Sequence, residues 1–400
     1  MVTSRQWILT DSPKNFWVDE WKITSSELGI KGKSFSISKT TLRAGLTEGV
    51  DAIEVNNGDF NFTILPTRGM SIWRGSYCGL GLGWESPIAG PVHPKFVDLL
   101  DHSGLGWLKG FDEWIVRCGL GSNGAPCSDM VPDNNGNPCK VFLNLHGKIA
   151  NIPAHYVEVQ VQLEEPHTIT VTGHVNESML FSPRLQLQTR IKTWPNSNQV
   201  LIEDSVVNKG ATTAEFELLY HCNFGPPFLE AGSQLVAPLK TVYPRDAQAV
   251  KNIASFADYS GPKAGFIEQV YWLETSNNEN GDTLAMLKSA DSEKAVAIRF
   301  NCNQLPFLTL WKNTAALEDG YVTGIEPGTD YPNSRPFERA KGRLAILDPG
   351  KSFDCQIGIE VCANASATAQ LEKEVREISQ EPIQVNKSPH PDLSSEGLQN

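Results

Sequence analysis

The stretch AIEVNNGDFNFTIL, residues 52–65, contains two runs of alternating apolar and polar residues joined through Asn57-Gly58. Alternation with a period of two places the apolar side chains on one face of a strand. An Asn-Gly pair readily adopts the positive backbone φ angles that a tight hairpin turn requires. The stretch therefore predicts a β-hairpin with one buried face.

The same period of two recurs along the chain, whereas helical patterns are few. Further strand-like runs span residues 156–163, 168–175, 185–193, 199–208, 214–220, 285–287, 295–301, 308–311, 342–347 and 352–361. Short helical patterns occur at residues 94–100 and 110–116, and a charged helix is predicted at 367–379. Because no strand–helix–strand rhythm appears, the chain is predicted to be all-β, one large antiparallel β-sandwich with few short helices.

Four segments are predicted along the chain. Residues 1–44 are expected to form an N-terminal extension that packs on the sandwich, and residues 45–362 to form the sandwich itself. Residues 363–380 are assigned to a C-terminal helix. Residues 381–400, which contain three prolines and several serines and asparagines, are predicted to be a disordered tail.

The composition of the chain disfavours several classes of binding partner. The 400 residues carry a formal net charge of −12, which disfavours nucleic acids and anionic membranes. No apolar run reaches the roughly 18–20 residues of a membrane helix, and the start lacks the apolar stretch of a secretory signal. The eight cysteines form no Cys-x-x-Cys pair, so free thiols are expected. We therefore expect a cytoplasmic protein without a metal ion, whose sheet edges could pair two copies in a homodimer.

Polar residues interrupt apolar stretches at four places. Arg68 follows an apolar run and precedes a glycine, and His146 stands between an apolar run and another glycine. His221 ends an apolar strand, and Glu326 precedes Pro327, which favours an extended backbone. An arginine can bind ligand oxygens, while histidine and glutamate can exchange protons near neutral pH. Each of these residues could instead have a structural role, such as an ion pair or a hydrogen bond to backbone.

The order and spacing of these motifs resemble the galactose mutarotase-like superfamily, the aldose 1-epimerases. The matching motifs are LPTRGMSI at 65–72, LHGKI at 145–149, YHCNFG at 220–225 and GIEP at 324–327. More closely, the chain is similar to an uncharacterised branch of aldose-epimerase-like proteins, described as a domain of unknown function. The resemblance covers roughly residues 45–362 and implies a many-stranded supersandwich with a sugar in an open cleft on one concave face.

The resemblance also implies roles for individual residues. Glu326 matches the glutamate that acts as base on the anomeric hydroxyl, and His221 matches the histidine that protonates the ring oxygen. His146 and Arg68 match positions that hold sugar hydroxyls. Such chemistry needs no cofactor, because ring opening requires only that one proton is removed and another delivered.

The chain departs from the family pattern in two regions. Typical members carry a hydroxyl-binding aspartate on a loop after the strand-end histidine, and here only Asp246 is a candidate, beside Arg245, which could attract an anionic sugar. The stretch from 107 to 126 is longer than simple mutarotases need. It could line the cleft with Trp107, Trp114 or Asp112.

The resemblance implies an isomerase, an aldose 1-epimerase-like enzyme that interconverts the anomers of a free sugar or sugar derivative. Two alternatives remain open at the level of sequence. One is a different acid–base reaction on a modified sugar, such as an elimination or an isomerisation. The other is a carbohydrate-binding or sensing protein without catalysis, since one fold can host several functions.

Overall fold

β-Strands are the main regular secondary structure of the computed structural model, which describes residues 3–379 and 381–395. In chain order they are β1 (Ser4–Asp11), β2 (Phe16–Trp17), β3 (Trp21–Thr24), β4 (Ser36–Thr41), β5 (Asp51–Asn56), β6 (Phe60–Leu65), β7 (Ser71–Tyr77), β8 (Leu80–Leu82), β9 (Ile115–Leu120), β10 (Cys127–Pro132), β11 (Pro138–Leu143), β12 (Tyr156–Gln162), β13 (Ile169–Ser178), β14 (Arg184–Thr193), β15 (Gln199–Asn208), β16 (Ala214–Phe224), β17 (Gln234–Val236), β18 (Leu239–Pro244), β19 (Gln269–Thr275), β20 (Asp282–Lys288), β21 (Ala295–Asn301), β22 (Phe307–Asn313), β23 (Val322–Gly328), β24 (Ala345–Leu347), β25 (Ser352–Cys362) and β26 (Gln384–Val385). The helices are α1 (Asp101–Gly104), α2 (Ala247–Val250), α3 (Arg335–Ala340) and α4 (Ala365–Ile378).

The strands form two large sheets, except that β10 and β11 pair in a separate two-stranded sheet. A ten-stranded sheet has the order β17-β20-β21-β25-β15-β14-β13-β12-β1-β2. A fourteen-stranded sheet has the order β26-β18-β19-β22-β23-β16-β9-β7-β6-β5-β4-β3, with β24 on β16 and β8 on β7. Neighbouring strands in the sheets are antiparallel, except that β26 runs parallel to β18. The prediction of an all-β antiparallel sandwich with few short helices is therefore confirmed.

The apolar core lies between the two sheets. The predicted hairpin is present as β5 and β6, with Val55 opposite Phe62 and both side chains buried. On β15, Val200, Ile202 and Val206 face the same core and are fully buried. Burial of such a side chain contributes about 1.5–3 kcal/mol, so the alternation read from the sequence is what holds the sheets together.

A buried ion pair links the two sheets under the face that carries the candidate site. The Arg117 guanidinium on β9 donates to both carboxylate oxygens of Asp204 on β15, at 2.6 and 2.9 Å. The hydroxyl of Tyr220 on β16 donates to the same carboxylate at 2.8 Å. Because buried charges need such partners, these contacts fix the position of β16, the strand that carries His221.

The N-terminal residues differ from the prediction. Residues 4–41 do not pack on the sandwich as an extension but supply strands of it, since β1 and β2 belong to the ten-stranded sheet and β3 and β4 to the other. β1 is an outer strand with only three consecutive buried residues at its end. Its alternation is therefore too weak to be recognised, and its position depends on backbone pairing with β12.

The C-terminal residues differ in part. Helix α4 lies within the predicted 363–380 range, and its N-cap Asn364 accepts a hydrogen bond from the backbone of Ala367 at 2.9 Å. The predicted disorder does not hold for residues 381–395: β26 pairs with β18, and the Asn333 amide donates to the carbonyl of Leu393 at 3.0 Å. Residues 396–400 lie outside the described residues. Across the described part of the chain, the helices are all too short or too polar to span a bilayer.

Candidate active site

The predicted base and acid meet on adjacent strands of the fourteen-stranded sheet. The register that pairs Cys222 with Ile325 places His221 on β16 opposite Glu326 on β23. His221 Nε2 lies 3.1 Å from Glu326 Oε1. The two residues are only 4% and 2% exposed, so this is a buried acid–base pair rather than a surface contact. It projects from the face of the sheet that points away from the inter-sheet core.

Asn223 determines which nitrogen of His221 faces the glutamate. The Asn223 amide group donates to the carbonyls of Glu113 and His221, at 3.0 and 3.2 Å, which orients its oxygen toward the ring. That oxygen lies 2.5 Å from His221 Nδ1 and therefore accepts a hydrogen bond from the Nδ1–H group. Nε2 is left to exchange a proton with Glu326 or a ligand.

Burial shifts both members of the pair toward their neutral forms. It raises the pKa of Glu326 well above the usual 4.5, and the charge of Glu268 adds to this while Arg245 opposes it. Burial also lowers the pKa of His221 well below 6.5, helped by His146. The pair therefore holds a single proton over a wide pH range. Transfer of that proton across 3.1 Å gives a carboxylate and an imidazolium without any exchange with solvent.

Gly324 provides the space that the pair occupies. It lies two residues before Glu326 on β23, so both point to the same face. A Cβ at this position would lie 2.3 Å from Glu326 Oε1 and 3.2 Å from His221 Cε1. Any side chain here would displace the carboxylate from the histidine.

His146 lies beside the pair, as its motif indicated. Its ring centre is 5.4 Å from that of His221, and its Nδ1 donates to the carbonyl of Asn123 at 2.7 Å. Burial lowers the pKa of His146 to about 4, so the ring is neutral at pH 7. With Nδ1 occupied as a donor, Nε2 is a hydrogen-bond acceptor suited to a sugar hydroxyl.

Aromatic rings surround the histidines. The ring centre of Trp107 is 4.7 Å from that of His146, and Phe111 and Trp311 lie 5.0 and 5.3 Å from His221. Trp107 was one of the cleft candidates from the sequence, whereas Phe111 and Trp311 were missed. The alternation of β22 places Trp311 on the face opposite the core, but only the register of the sheet shows that this face carries Glu326.

Arg68 lies behind the site rather than in it. Its guanidinium is fully buried, and its Nη2 lies 2.7 Å from the carboxylate of Glu113 and donates to the carbonyl of Gly110 at 2.7 Å. Its Nη1 donates to Asn151 Oδ1 at 2.6 Å. The expected direct contact with a sugar hydroxyl is therefore not available. Arg68 instead holds the loop whose residue Phe111 packs on His221.

We expect Arg68→Met to destabilise the fold by about 3–5 kcal/mol, because it leaves the Glu113 carboxylate buried without its partner. Denaturant unfolding of the wild type and the variant measures this loss. Arg376→Met on α4 is the matched control, since that side chain is 67% exposed, and its effect is expected to stay below about 0.5 kcal/mol. A stable Arg68→Met variant with weakened sugar binding would instead support the direct role.

Asp246 and Trp114 are both engaged in other contacts. Asp246 caps α2 by accepting from the backbone of Ala249 at 2.8 Å, and its other oxygen accepts from Arg245 at 3.0 Å. Trp114 is fully buried in the inter-sheet core, where it stacks on Phe60 at 6.1 Å. Trp114 is therefore not a cleft residue, because the irregular backbone before β9 turns it toward the core.

Asp112, the third cleft candidate of the long stretch, is buried as well. Its carboxylate accepts from Trp73 Nε1 at 3.0 Å. Burial and the neighbouring Glu113 raise the pKa of Asp112 to about 8. A neutral carboxyl in this position supports the loop and does not supply charge to the cleft.

Glu268 was missed by the sequence analysis, although its charge acts on the pair. Its carboxylate accepts from Arg245 Nη2 at 3.1 Å and from Trp311 Nε1 at 2.7 Å. The Arg245 guanidinium is therefore matched by two carboxylates, those of Glu268 and Asp246. This balance weakens the expectation that Arg245 attracts an anionic sugar.

A concave region with a volume of about 410 Å³ lies on the outer face of the ten-stranded sheet. Its lining includes His174, Arg190 and Glu203. Arg190 and Glu203 are 3.7 Å apart, and their side chains are 55% and 30% exposed, so water screens the interaction. The buried pair on the other sheet is the better candidate for acid–base chemistry.

Comparisons with known proteins show the family and the fold of the chain. The family model DUF4432, a domain of unknown function, matches residues 47–361. A crystal structure from Klebsiella pneumoniae subsp. pneumoniae, of a protein provisionally named an aldose 1-epimerase, is 34% identical over 96% of this chain and 99% of its own, with a TM-score of 0.91. No curated protein matches.

More distant structures share the fold. A galactose mutarotase-like protein from Clostridium acetobutylicum is 16% identical over 81% of this chain and 98% of its own, with a TM-score of 0.53. A galactose mutarotase related enzyme from Lactobacillus acidophilus is 14% identical over 78% and 98%, with a TM-score of 0.51. At such identities the likeness extends to the architecture and not to the chemistry.

Proposed function

Since the chain belongs to the DUF4432 family and has the galactose mutarotase-like fold, we propose that it is an aldose 1-epimerase-like enzyme. Its substrate is a free sugar or sugar derivative, whose α and β anomers it interconverts without a cofactor. The single observation that carries the proposal is the buried contact of His221 Nε2 with Glu326 Oε1 at 3.1 Å.

The reaction needs two proton transfers at oxygens that share one carbon. In the proposed step, the Glu326 carboxylate takes the proton of the anomeric hydroxyl while His221 Nε2–H protonates the ring oxygen. The bond between the anomeric carbon and the ring oxygen breaks, and an open-chain aldehyde forms. Rotation about the next carbon–carbon bond and the reverse transfers close the ring with the other configuration, and both protons return to their donors.

The protonation state of the pair suits this cycle. The reactive carboxylate–imidazolium form has the same number of protons as the neutral pair that burial favours. Asn223 holds the proton on Nδ1, so that Nε2 faces the substrate. Each positioned acid or base contributes about 10²–10⁴-fold to such a rate. His146 Nε2 accepts from a sugar hydroxyl, and the rings of Trp107, Phe111 and Trp311 contact C–H groups of the sugar.

NMR saturation transfer between anomers tests the proposal directly. The panel contains neutral aldoses, uronic acids and phosphorylated or sulfonated sugars, measured with the wild type and with His221→Ala. We expect exchange above the buffer rate for at least one sugar, lost in the variant. Binding without exchange for every sugar would contradict the epimerase and favour a carbohydrate-binding protein or a different acid–base reaction on a modified sugar.

The pH dependence of exchange follows from the single shared proton. Because the pKa of His221 is lowered, the second proton that blocks the pair binds only well below pH 6.5. Because the pKa of Glu326 is raised, the shared proton is lost only well above pH 4.5. We expect kcat/KM to be flat between these two protonation steps and to fall on both sides. An acid limb with its midpoint at 6.5 would indicate an unperturbed histidine.

The state of the cysteines indicates the cellular compartment of the protein. All eight cysteines are free thiols. Free thiols are typical of reducing compartments, whereas secreted proteins commonly form disulfides. We therefore place the proposed activity in the cytoplasm, which fractionation of the tagged chain can test.

A further inference from the structure

Two buried polar side chains without hydrogen-bond partners among the described residues lie beside the acid–base pair, in a row of residues that crosses neighbouring strands. Across neighbouring strands, His221 is followed by Glu326, Thr309 and Trp272, because Thr309 pairs with Glu326 and Trp272 with Thr309. Residues opposite each other in a sheet share one face. Within residues 3–379 and 381–395, Thr309 Oγ1 and Trp272 Nε1 have no hydrogen-bond partner. These two side chains and that of Glu326 are at most 2% exposed.

Such groups are unusual in a folded protein. A buried hydroxyl or indole N–H without a partner loses the hydrogen bonds it made to water and gains none. When several occur side by side in a cleft, they fit a ligand that supplies the missing partners. Thr309 Oγ1 can donate and accept, and Trp272 Nε1 can only donate. Together with the carboxylate they match a row of hydroxyl groups.

The covalent structure of an aldose determines which hydroxyl this is. The anomeric carbon carries the anomeric hydroxyl, the ring oxygen and the second carbon. With the anomeric hydroxyl at Glu326 and the ring oxygen toward His221, the second carbon lies on the opposite side of Glu326. Thr309 occupies that side on the adjacent strand.

We propose that Thr309 binds the hydroxyl on the second carbon of the sugar and selects aldoses in which this hydroxyl is free. This rests on the proposed function, since that function orients the ring. Trp272 is next in the row and packs on Tyr331 with ring centres 4.8 Å apart. The two rings lie at the end of the row, beyond Thr309.

The test combines a variant with a substrate analogue. Thr309→Val keeps the β-branched shape of a strand residue and removes only the hydroxyl. We expect it to lower kcat/KM about 10–100-fold for galactose or glucose, whichever exchanges faster, and to leave the 2-deoxy analogue unchanged. Thr309→Ser restores the hydroxyl and is expected to recover most of the preference. If Thr309 had a purely structural role, Thr309→Val would lower kcat/KM equally for the 2-hydroxy sugar and its 2-deoxy analogue.

Each outcome bears on one proposal. Equal effects of Thr309→Val on the 2-hydroxy and 2-deoxy sugars, or no effect on either, would overturn the assignment of Thr309 while exchange by the wild type still supports the epimerase. Absence of exchange in the wild type would overturn the proposed function instead. In that case the binding constants of the two sugars, measured by titration for wild type and Thr309→Val, decide whether Thr309 recognises the hydroxyl.

Discussion

Replacing Glu326 by glutamine is expected to lower the rate of anomer exchange about 10²–10⁴-fold. Glutamine has nearly the same shape, but its amide cannot take a proton from the anomeric hydroxyl. Its NH₂ group can also donate to His221 Nε2, which lies 3.1 Å from the present carboxylate, and so occupy the nitrogen that delivers the second proton. The measurement is NMR saturation transfer at pH 7 with the sugar that the wild type exchanges fastest.

Glu54→Gln is the matched control for this substitution. Glu54 is exposed on β5 and accepts a hydrogen bond from Asn61 at 2.8 Å, which glutamine retains. Exchange by this variant is expected to equal that of the wild type. If Glu326→Gln kept full exchange, the base would have to be another group. If it lost exchange but bound sugar as before, catalysis and binding would be separated at one residue.

The same substitution is expected to stabilise the fold at alkaline pH. Folding raises the pKa of Glu326 above its unfolded value, so the folded state retains a proton that the unfolded state releases. Stability therefore falls as the pH rises above about 4.5, until the folded carboxyl also ionises. Glutamine does not titrate and escapes this loss. Lower activity together with equal or higher stability at pH 8 shows that the variant is folded.

The fold is predictable from the sequence where the pattern is local. The alternation around Asn57-Gly58 needs only neighbouring residues, and it gave the hairpin of β5 and β6 at nearly its observed bounds. β1 and β26 were missed because an outer strand with few buried residues has little alternation to detect. Their positions depend on backbone hydrogen bonds to distant strands, which composition does not reveal.

The candidate site is predictable in part for a related reason. The motifs and the family resemblance predicted Glu326, His221 and His146 as site residues. The folded sheet places these three residues next to one another. The residues around them were not predictable. The sheet register is needed to assign Trp311 to the face that carries Glu326. Trp114 lies in the irregular backbone before β9, where alternation does not show that it points into the core.

Replacing Gly324 by alanine is expected to lower exchange about 100-fold, although no polar group is removed. The added Cβ would lie 2.3 Å from Glu326 Oε1, so the carboxylate must move by several tenths of an ångström or more. A displacement of about 1 Å in a catalytic group can cost 10²-fold in rate. The expected signature is a lower kcat with a smaller change in KM, measured by the same exchange experiment over a range of sugar concentrations.

Gly358→Ala separates this effect from the general cost of a new methyl group in a strand. Gly358 also lies within a long strand, β25, but a Cβ there would meet only Arg299 Cβ at 3.6 Å, an ordinary contact. We expect this variant to exchange anomers like the wild type. Equal activity of both alanine variants would mean that the placement of the Glu326 carboxylate against His221 does not limit the reaction. A loss confined to Gly324→Ala would show that the strand needs a glycine there because the acid–base pair occupies the space of its side chain.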